Sequence, residues 1–424
     1  MSVANKLNII FYFPYKGTGG VSVLFLKTAK ELSTNYNVFL VDFKDGYMGT
    51  RVPMNVNFID IDTVKVYPIN SIVILQSLPF WRINDFDKFS PETKFLFWNL
   101  HPKNFEYKLL DKGKSLLSKF LSLFLKFYKS KFQKCLIYFT ETDSLFFMDY
   151  ENYRSTKSFY PNINIKEKYL PCFTDEVSNK IYNTQAEPCI LNFCWIGRIV
   201  DFKVHILIHT LERLNTITNL SFDFTIIGDG DKLEFIKAHF DKRNLNYKIT
   251  FINEIPIEDV GEYLNNNCDL LFAMGLSALE GASRHIPTML LDYSYFPING
   301  SYKFKYLFEQ EKYNLTSEIN KESFDAFSSL ETKLNNFKED KYSIGQLCYD
   351  YWLNNHSSNI AIEKLETAII NSRSNKKDIE KLQLNRPDIF SILYYDIITY
   401  IYSLFRKNGH IIQLHGFRYP KSNI

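Results

Sequence analysis

Short, continuous apolar runs alternate with amphipathic stretches along the first part of the chain. Continuous apolar runs of this length are typical of strands that a sheet buries on both faces. Between the first two runs, Val21–Leu32 carries its apolar residues at helical spacing. Strands that alternate with helices predict a parallel, doubly wound sheet, here over residues 1–165. The predicted strands of this domain are Leu7–Phe13, Val38–Asp42, Ile72–Gln76, Phe95–Trp98 and Leu136–Thr140.

The alternation lapses over the polar residues 166–188, which we predict to be a linker, and then starts again. A second α/β domain is therefore predicted over residues 189–340. Helices are predicted at 341–372, and an aromatic-rich helical tail over 373–424 begins with a charged hinge. The predicted strands of the second domain are Ile190–Ile196, Phe222–Ile227, Ile249–Ile252, Leu270–Met274 and Thr288–Leu291. Its predicted helices are Val204–Leu214, Lys232–His239, Val260–Asn265 and Ser277–Arg284.

Composition and charge narrow the class of protein. A chain of 424 residues accommodates two such domains. Its 50 basic and 47 acidic side chains leave a net charge of +3, so no global field indicates a nucleic-acid partner. The 6 cysteines form no CxxC pair, which indicates buried thiols in a reducing compartment. We find no signal-peptide pattern and no apolar run near the roughly 18 residues of a membrane span, so we expect a bacterial cytoplasmic protein.

Four segments that carry glycine or charge follow predicted strands, which is where open α/β folds bind ligands. The first, Gly17-Thr18-Gly19-Gly20, precedes a helix whose free N–H groups and dipole favour a phosphate. A tight turn is the alternative. In the second, which begins at Gly197, the side chains of Arg198 and Lys203 would converge on one diphosphate. Its alternative is a solvated helix start, although cations there oppose the helix dipole.

The third and fourth segments follow later strands. The third, Ile226 to Asp231, contains Gly228, and its alternative is a plain turn with an aspartate cap. In the fourth, Gly275 begins a helix that places Glu280 about one turn inside. A carboxylate there accepts hydrogen bonds from ribose hydroxyls, or serves only as a capping acid. The backbone N–H groups that would face a phosphate are those of Ser277, Ala278 and Leu279.

The order of these segments resembles the retaining glycosyltransferases of the group 1, or family 4, type. The shared features are Gly-Gly after the first strand, G-R-x4-K after the linker, I-I-G-D-G at a strand end, and L-E-G-A before Pro287. The resemblance covers roughly residues 7–370. It implies the GT-B fold, in which two Rossmann-like α/β domains face a central cleft and C-terminal helices follow.

The resemblance also implies roles for single residues in a nucleotide-sugar site. Arg198 and Lys203 would bind the donor diphosphate, and Glu280 the ribose. Gly228 would lie in the donor site, and Ile255 near the nucleobase. Gly19 and Gly20 would lie beside the phosphates from the opposite domain.

The chain departs from the family at one acid. The family typically shows E-x7-E, whose first acid approaches the donor sugar, and Phe272 stands at that position. His101, at a predicted strand end, resembles the histidine that in many relatives lies near the reacting centre; a structural histidine is the alternative. His101 and Glu280 are our catalytic candidates, and Glu141 is a weaker cleft candidate. Three short D-x-D pairs carry little information, and we expect no metal and no other cofactor.

A basic and aromatic stretch indicates a membrane surface. Residues 112–140 contain no Asp or Glu and interleave lysines with large apolar side chains. This composition predicts an amphipathic helix on anionic lipid; a core-packing helix with a solvated lysine face is the alternative. For the apolar helix Ile389–Phe405, interfacial binding, packing on the body and a homodimer contact all stay open. The lysines assigned to the membrane surface are Lys114, Lys119, Lys126, Lys129, Lys131 and Lys134.

These expectations describe a peripheral enzyme at the inner face of the plasma membrane. It would transfer a sugar, with retention, from a nucleotide-diphosphate sugar to a lipid-linked or polysaccharide acceptor. By analogy with the family, the pathway would be capsule, lipopolysaccharide or exopolysaccharide synthesis. Two alternatives stay open: a sugar-nucleotide epimerase of the same fold, and a non-catalytic GT-B subunit that scaffolds a partner enzyme.

Overall fold

The computed structural model divides the chain into two compact units. Unit 1 comprises Met1–Leu170 and Ile362–Ile424, and unit 2 comprises Pro171–Ala361. The residues described are 7–17, 19–76, 80, 83, 85–102, 104–105, 116–175, 190–241, 243–253, 255–256, 258–325, 329–386 and 389, with the backbone alone for 116–126 and 128.

Unit 1 is built on a 6-stranded parallel sheet with the strand order β3-β2-β1-β4-β5-β6. The central strand β1 pairs with both β2 and β4, so that Ile10 lies between Phe39 and Val73. Ile10 is fully buried, as expected for a central strand of a parallel sheet. The strands are β1 (Asn8–Tyr12), β2 (Asn37–Asp42), β3 (Asn57–Asp60), β4 (Ser71–Leu75), β5 (Lys94–Asn99) and β6 (Leu145–Phe147). The helices of this part are α1 (Gly20–Leu32), α2 (Leu116–Glu141) and α3 (Tyr150–Phe159).

The predicted strand Leu136–Thr140 is wrong, because these residues form the last turns of α2. Buried side chains recur there at helical spacing, at Phe132, Leu136 and Phe139. The last strand of the sheet is instead β6, which has only 3 residues. A run of four apolar or aromatic residues followed by Thr140 therefore indicated burial for all of them except the exposed Ile137, but it did not indicate the type of element.

Unit 2 repeats the architecture with the strand order β12-β11-β10-β7-β8-β9. The strands β7 to β11 are parallel, and β12 pairs antiparallel with β11 at one edge. The predicted strands of this unit are confirmed, with small differences at their ends. The strands are β7 (Leu191–Ile196), β8 (Phe222–Ile227), β9 (Ile249–Ile252), β10 (Leu270–Ala273), β11 (Thr288–Leu290) and β12 (Lys305–Tyr306). The helices are α4 (Asp201–Leu214), α5 (Leu233–Phe240), α6 (Val260–Asn267), α7 (Leu276–Ala282), α8 (Leu330–Leu334) and α9 (Phe337–His356).

The C-terminal helices divide between the two units differently from the predicted boundaries. Helix α10 (Ser358–Asn371) begins in unit 2 and continues into unit 1, and α11 (Lys376–Lys381) belongs to unit 1. The charged residues 373–388 were predicted as a hinge, yet Lys376 is buried and donates to the carbonyls of Asp87 and Phe89 at 2.9 and 2.7 Å. The predicted linker is described up to residue 175, and residues 176–189 lie outside the described residues.

Within the described part of the chain, no helix combines the length and the apolar character that crossing a membrane would need. The apolar helix predicted at Ile389–Phe405 lies outside the described residues, apart from Ile389 itself.

Candidate functional site

Two loops at the carboxyl edge of the unit 2 sheet interlock through their backbones. One follows β7 and the other follows β8. The N–H of Gly197 donates to the carbonyl of Ile227 at 3.1 Å, and the N–H of Ile199 donates to the carbonyl of Asp229 at 2.9 Å. The N–H of Lys232 returns a bond to the carbonyl of Ile199 at 3.1 Å. This ladder continues the pairing of the two strands and holds both loops in one conformation.

Glycine at two positions permits this approach. A Cβ atom on Gly228, whose φ is 141°, would lie 2.2 Å from the Gly197 carbonyl oxygen. A Cβ atom on Gly230 would lie 2.1 Å from the Ile199 carbonyl oxygen. Backbone atoms cannot withdraw as a flexible side chain can, so any other residue would separate the loops. The glycines of the I-I-G-D-G segment are therefore required by loop packing.

Two cations, Arg198 and Lys203, lie on the loop after β7 and on the first turn of α4. The side chain of Arg198 is exposed and that of Lys203 is half-buried. The Lys203 Nζ atom lies 6.0 Å from the ring centroid of Trp195 and 5.8 Å from that of Phe202. Burial first, and then the positive charge of Arg198, lower the pKa of Lys203 to about 8.

Neither of these cations forms an ion pair with a carboxylate of the described residues. Two cations at a helix start, with no acidic partner among the described residues, leave a local excess of positive charge. The geometry suits a ligand with at least two negative charges, because each cation can then form a charge-assisted hydrogen bond.

Glu280 belongs to the short helix α7, which begins after Gly275 with φ of 65°. Its Oε2 atom accepts a hydrogen bond from Nη1 of Arg284 at 2.8 Å, and the carboxylate side chain is 24% exposed. Sequence reasoning missed Arg284, although an acid and an arginine four residues apart on a helix are a recognisable ion-pair spacing.

The three backbone groups predicted to face a phosphate are not equivalent. The N–H of Ala278 donates to the carbonyl of Gly275 at 3.1 Å, inside the first turn of α7. This N–H therefore already has a backbone acceptor, whereas the prediction had it face a phosphate. The side chains of Ala278 and Leu279 are buried and that of Ser277 is half-buried. Ile255 is half-buried in the loop after β9, at the same edge of the sheet.

Phe272 occupies the interior of the sheet. It belongs to β10, is fully buried, and its ring centroid lies 6.1 Å from that of Phe193 and 5.7 Å from that of Phe224. An acid at this position would be buried among aromatic rings without a hydrogen-bonding partner, which is costly. The departure from E-x7-E is therefore built into the core of unit 2.

The glycine segment of unit 1 lies at the start of α1, after β1. Gly19 is the residue before the helix, and its carbonyl accepts from the N–H of Val23 at 3.2 Å. A Cβ atom on Gly19 would meet only a ring atom of Tyr15, at 3.6 Å, so packing alone does not require glycine there. Gly20, the first helical residue, is exposed, and Thr18 lies outside the described residues.

His101 is exposed and follows β5. Its backbone N–H donates to Oδ1 of the buried Asn99 at 3.4 Å, and its carbonyl accepts from the N–H of Asn104 at 3.1 Å. The local backbone thus fixes His101 at the carboxyl edge of the sheet, as predicted from sequence. Glu141, predicted to follow a strand, is instead the exposed last residue of α2.

The predicted membrane lysines do not share one role. Lys131 donates to the backbone carbonyls of Gln383 and Arg386, which ties α2 to the turn after α11. The Nζ atom of Lys129 lies over the ring of Phe159 at 5.5 Å. Lys134 is exposed. Lys114 and the side chains of Lys119 and Lys126 lie outside the described residues. The bonds of Lys131 to backbone carbonyls could not be predicted from composition, which does not show which carbonyls lie nearby.

No group of three or more His, Cys, Asp and Glu side chains that could hold a metal ion occurs in the described ranges.

Two Rossmann-like units, each with a parallel sheet and helices, define the class of fold, and solved glycosyltransferase structures share it. The chain is similar to the lipopolysaccharide outer core galactosyltransferase WaaB in its apo form, with 11% identity, a TM-score of 0.51, and coverage of 87% of this chain and 100% of that chain. A glycosyltransferase from Rickettsia africae ESF-5 shows 14% identity and a TM-score of 0.54, covering 87% of this chain and 99% of that chain. Anabaena Alr3699/HepE in complex with UDP shows 10% identity and a TM-score of 0.53, covering 86% and 99%.

At these identities the likeness establishes the fold: the chain has the GT-B fold of two Rossmann-like units. No protein-family profile matches the sequence, and no curated protein matches it.

Proposed function

We propose that this protein is a retaining glycosyltransferase that uses a nucleoside-diphosphate sugar as donor. The observation that carries the proposal is the pair of cations Arg198 and Lys203, without acidic partners among the described residues, at the interlocked strand ends of unit 2. The GT-B fold supports it, since the structures that share this fold include a galactosyltransferase and a protein in complex with UDP.

The two cations have a direct chemical task in this proposal. When the sugar leaves, negative charge develops on the departing diphosphate, and positive groups fixed in advance stabilise that charge. Lys203, with a pKa of about 8, is mostly protonated at pH 7, and Arg198 is the second cation. The backbone hydrogen bonds between the two loops, which the absence of a side chain at Gly228 permits, hold the loop that carries Arg198.

The remaining site residues complete the proposal. Glu280 would bind the ribose, Ile255 would lie near the base, and Ser277 and Leu279 would offer backbone N–H groups. Gly19 and Gly20 of unit 1 are proposed for the phosphates. His101 is the proposed catalytic residue of unit 1, and no metal or other cofactor is assigned. The substitution His101→Ala should reduce turnover far more than nucleotide affinity.

The proposed acceptor is lipid-linked or a surface polysaccharide, in capsule, lipopolysaccharide or exopolysaccharide synthesis. The name of WaaB, a lipopolysaccharide outer core galactosyltransferase, supports this class. For a location at the inner face of the plasma membrane, the support is an exposed stripe on α2. There Phe127 is 49% and Ile137 is 41% exposed, beside the exposed Lys134. A homodimer through residues 389–405 stays a proposal.

Calorimetric titration with UDP, GDP, ADP and dTDP tests the donor site. Wild type should bind one nucleotide with micromolar affinity, and the double variant Arg198→Ala/Lys203→Ala should lose that binding while remaining folded. Each lost charge-assisted contact is worth about 1.5–3 kcal/mol. Absence of binding by folded wild type would contradict the proposal.

A non-catalytic GT-B subunit is the second candidate, and the burial of Phe272 favours it, because the first acid of E-x7-E has no counterpart in the sheet. Product analysis separates the candidates: the protein is incubated with the nucleotide sugar that corresponds to the nucleotide it binds, with and without an acceptor. Transfer to an acceptor indicates the transferase, a changed nucleotide sugar without acceptor indicates an epimerase, and binding without turnover indicates the scaffold.

A further inference from the structure

Arg284 holds the Glu280 carboxylate from the end of the same helix. One nitrogen, Nη1, donates to Oε2 of Glu280 at 2.8 Å, to the backbone carbonyl of Glu280 at 2.8 Å, and to Oγ of Ser283 at 3.1 Å. The arginine side chain is only 11% exposed. A carboxylate gripped in this way loses most of its rotamer freedom, since its partner is itself fixed to the backbone.

The guanidinium is enclosed from the opposite side by helix α6. A Cβ atom on Gly261 would lie 2.1 Å from Nη2 of Arg284 and 2.9 Å from its Nε. Glycine at this position on α6 therefore makes the space that the guanidinium occupies. The pair Gly261 and Arg284 thus belongs to one packed unit with Glu280.

The backbone that carries Arg284 is also fixed. The N–H of His285 donates to the carbonyl of Ala282 at 3.0 Å, and that of Ile286 donates to the carbonyl of Gly281 at 3.1 Å. These two bonds form a Schellman motif, with His285 in the left-handed conformation at φ of 57°. The position of the arginine Cα is therefore set by the helix end.

This arrangement costs stability if it serves packing alone. The Nε atom of Arg284 is buried and has no hydrogen-bond partner in the described ranges. A buried polar N–H without a partner is unfavourable, and a buried ion pair is often less stable than apolar residues of similar volume. A use for the oriented carboxylate explains why the chain keeps a charged pair here.

We propose that Arg284 is a positioning residue that holds Glu280 in the orientation needed to accept hydrogen bonds from the ribose diol of the nucleotide. The inference rests on the proposed function, because it takes the ligand of unit 2 to be a nucleoside diphosphate. Arg284 acts through Glu280 and does not touch the ligand itself.

The test compares three ligands by calorimetry: the tightest-binding of UDP, GDP and ADP, its 2′,3′-dideoxy analogue, and inorganic pyrophosphate. Wild type should prefer the ribonucleotide over the dideoxy analogue by about tenfold or more, as expected for hydrogen bonds to a charged group. Arg284→Lys keeps the positive charge but not the planar fork, and should bring this preference close to one. Its affinity for pyrophosphate should stay within about twofold of wild type.

Two further variants make the result specific. Gly261→Ala displaces the guanidinium without changing either charged residue, and should reduce the ribose preference in the same way. Arg243→Lys alters an ion pair with Glu212 elsewhere in unit 2 and should leave all three affinities unchanged. Glu280→Gln gives the preference for the ribonucleotide over the dideoxy analogue that is expected when the carboxylate is absent. Gly261→Ala replaces Arg284→Lys as the test if the latter fails to fold.

The outcomes separate the two levels of the proposal. A full ribose preference in both folded variants overturns the positioning role, and so does an equal loss of affinity for all three ligands, which indicates a structural effect. Wild type that binds nucleotides without any ribose preference overturns this inference and the ribose role of Glu280, and leaves the proposed donor class standing. Wild type that binds no nucleoside diphosphate overturns the proposed function, and with it the role of Arg284.

Discussion

The pKa of Lys203 makes nucleotide affinity depend on pH in a predictable direction. Burial and the nearby Arg198 lower this pKa to about 8, so the protonated fraction falls from about nine-tenths at pH 7 to about one-tenth at pH 9. If the protonated lysine is what holds the diphosphate, the apparent Kd should rise about tenfold between these pH values. Binding should in turn take up protons near pH 8, because the bound phosphate favours the charged lysine.

The variant Lys203→Met retains an unbranched stem of similar length and removes the charge. At pH 7 its affinity should be about tenfold to a hundredfold weaker than that of wild type, the value of one charge-assisted hydrogen bond. Its Kd should not show the step near pH 8, and the two proteins should converge as the pH approaches 10. Titration by the nucleotide itself is common to both proteins and cancels in the ratio of their Kd values.

Stability should change in the opposite sense. The folded pKa of Lys203 lies below its ordinary value of about 10.5, so folding penalises the charged form. That penalty is fully present below pH 8 and disappears as the pH rises from 8 towards 10.5. Lys203→Met should therefore have a higher Tm than wild type at pH 7, with a smaller difference at pH 9.5. A ratio of Kd values that stays constant from pH 7 to 9.5 would refute the binding prediction, and a Tm difference that does not shrink between these pH values would refute the stability prediction.

Two further predictions concern the folded state of the protein. Gly228→Ala places a Cβ atom 2.2 Å from the Gly197 carbonyl oxygen and should lower the free energy of unfolding by about 2–4 kcal/mol. Gly19→Ala, with one contact at 3.6 Å, should change the free energy of unfolding by less than about 1 kcal/mol. Denaturant titration of both variants measures the difference. Burial lowers the pKa of His356 to about 4, below its ordinary value of about 6.5, so the stability it contributes is present above pH 6.5 and is lost as the pH falls towards 4. The loss between pH 7 and 4.5 should be smaller in His356→Gln, and an equal loss in both proteins would contradict this assignment.

The sequence predicted the sheet of unit 2 because its strands are uninterrupted apolar runs between clear turns. The same signal was ambiguous at Leu136–Thr140, where a buried helix end and a buried strand have similar composition. Edge strands gave too little signal: Asn57–Asp60 is half-buried or exposed throughout, and Lys305–Tyr306 has only 2 residues. Such strands form because they pair with a neighbouring strand, and the hydrophobic periodicity of a short segment does not show this pairing.

The candidate site was predicted unevenly for similar physical reasons. Glycines at strand ends and the G-R-x4-K spacing indicated the two loops that interlock after β7 and β8, since both signals are local in the chain. The contact of Arg284 with Gly261 joins residues on two helices and has no local pattern. Likewise, the bonds from Lys131 to carbonyls near residue 383 join distant parts of the chain, so its charge was assigned to a membrane surface.

The division of unit 1 into two stretches of chain affects how the protein can be made on the ribosome. Ile379 and Leu384 are buried in the same hydrophobic cluster as Phe95 and Leu136, and Ser374 donates to the carbonyl of Phe95. The core of unit 1 therefore stays incomplete until these late residues have been translated, whereas unit 2 is one uninterrupted stretch that can close earlier. Unit 1 is thus the first unit to be translated and the last to complete its core. During synthesis its open sheet needs protection from aggregation while some two hundred further residues emerge from the ribosome.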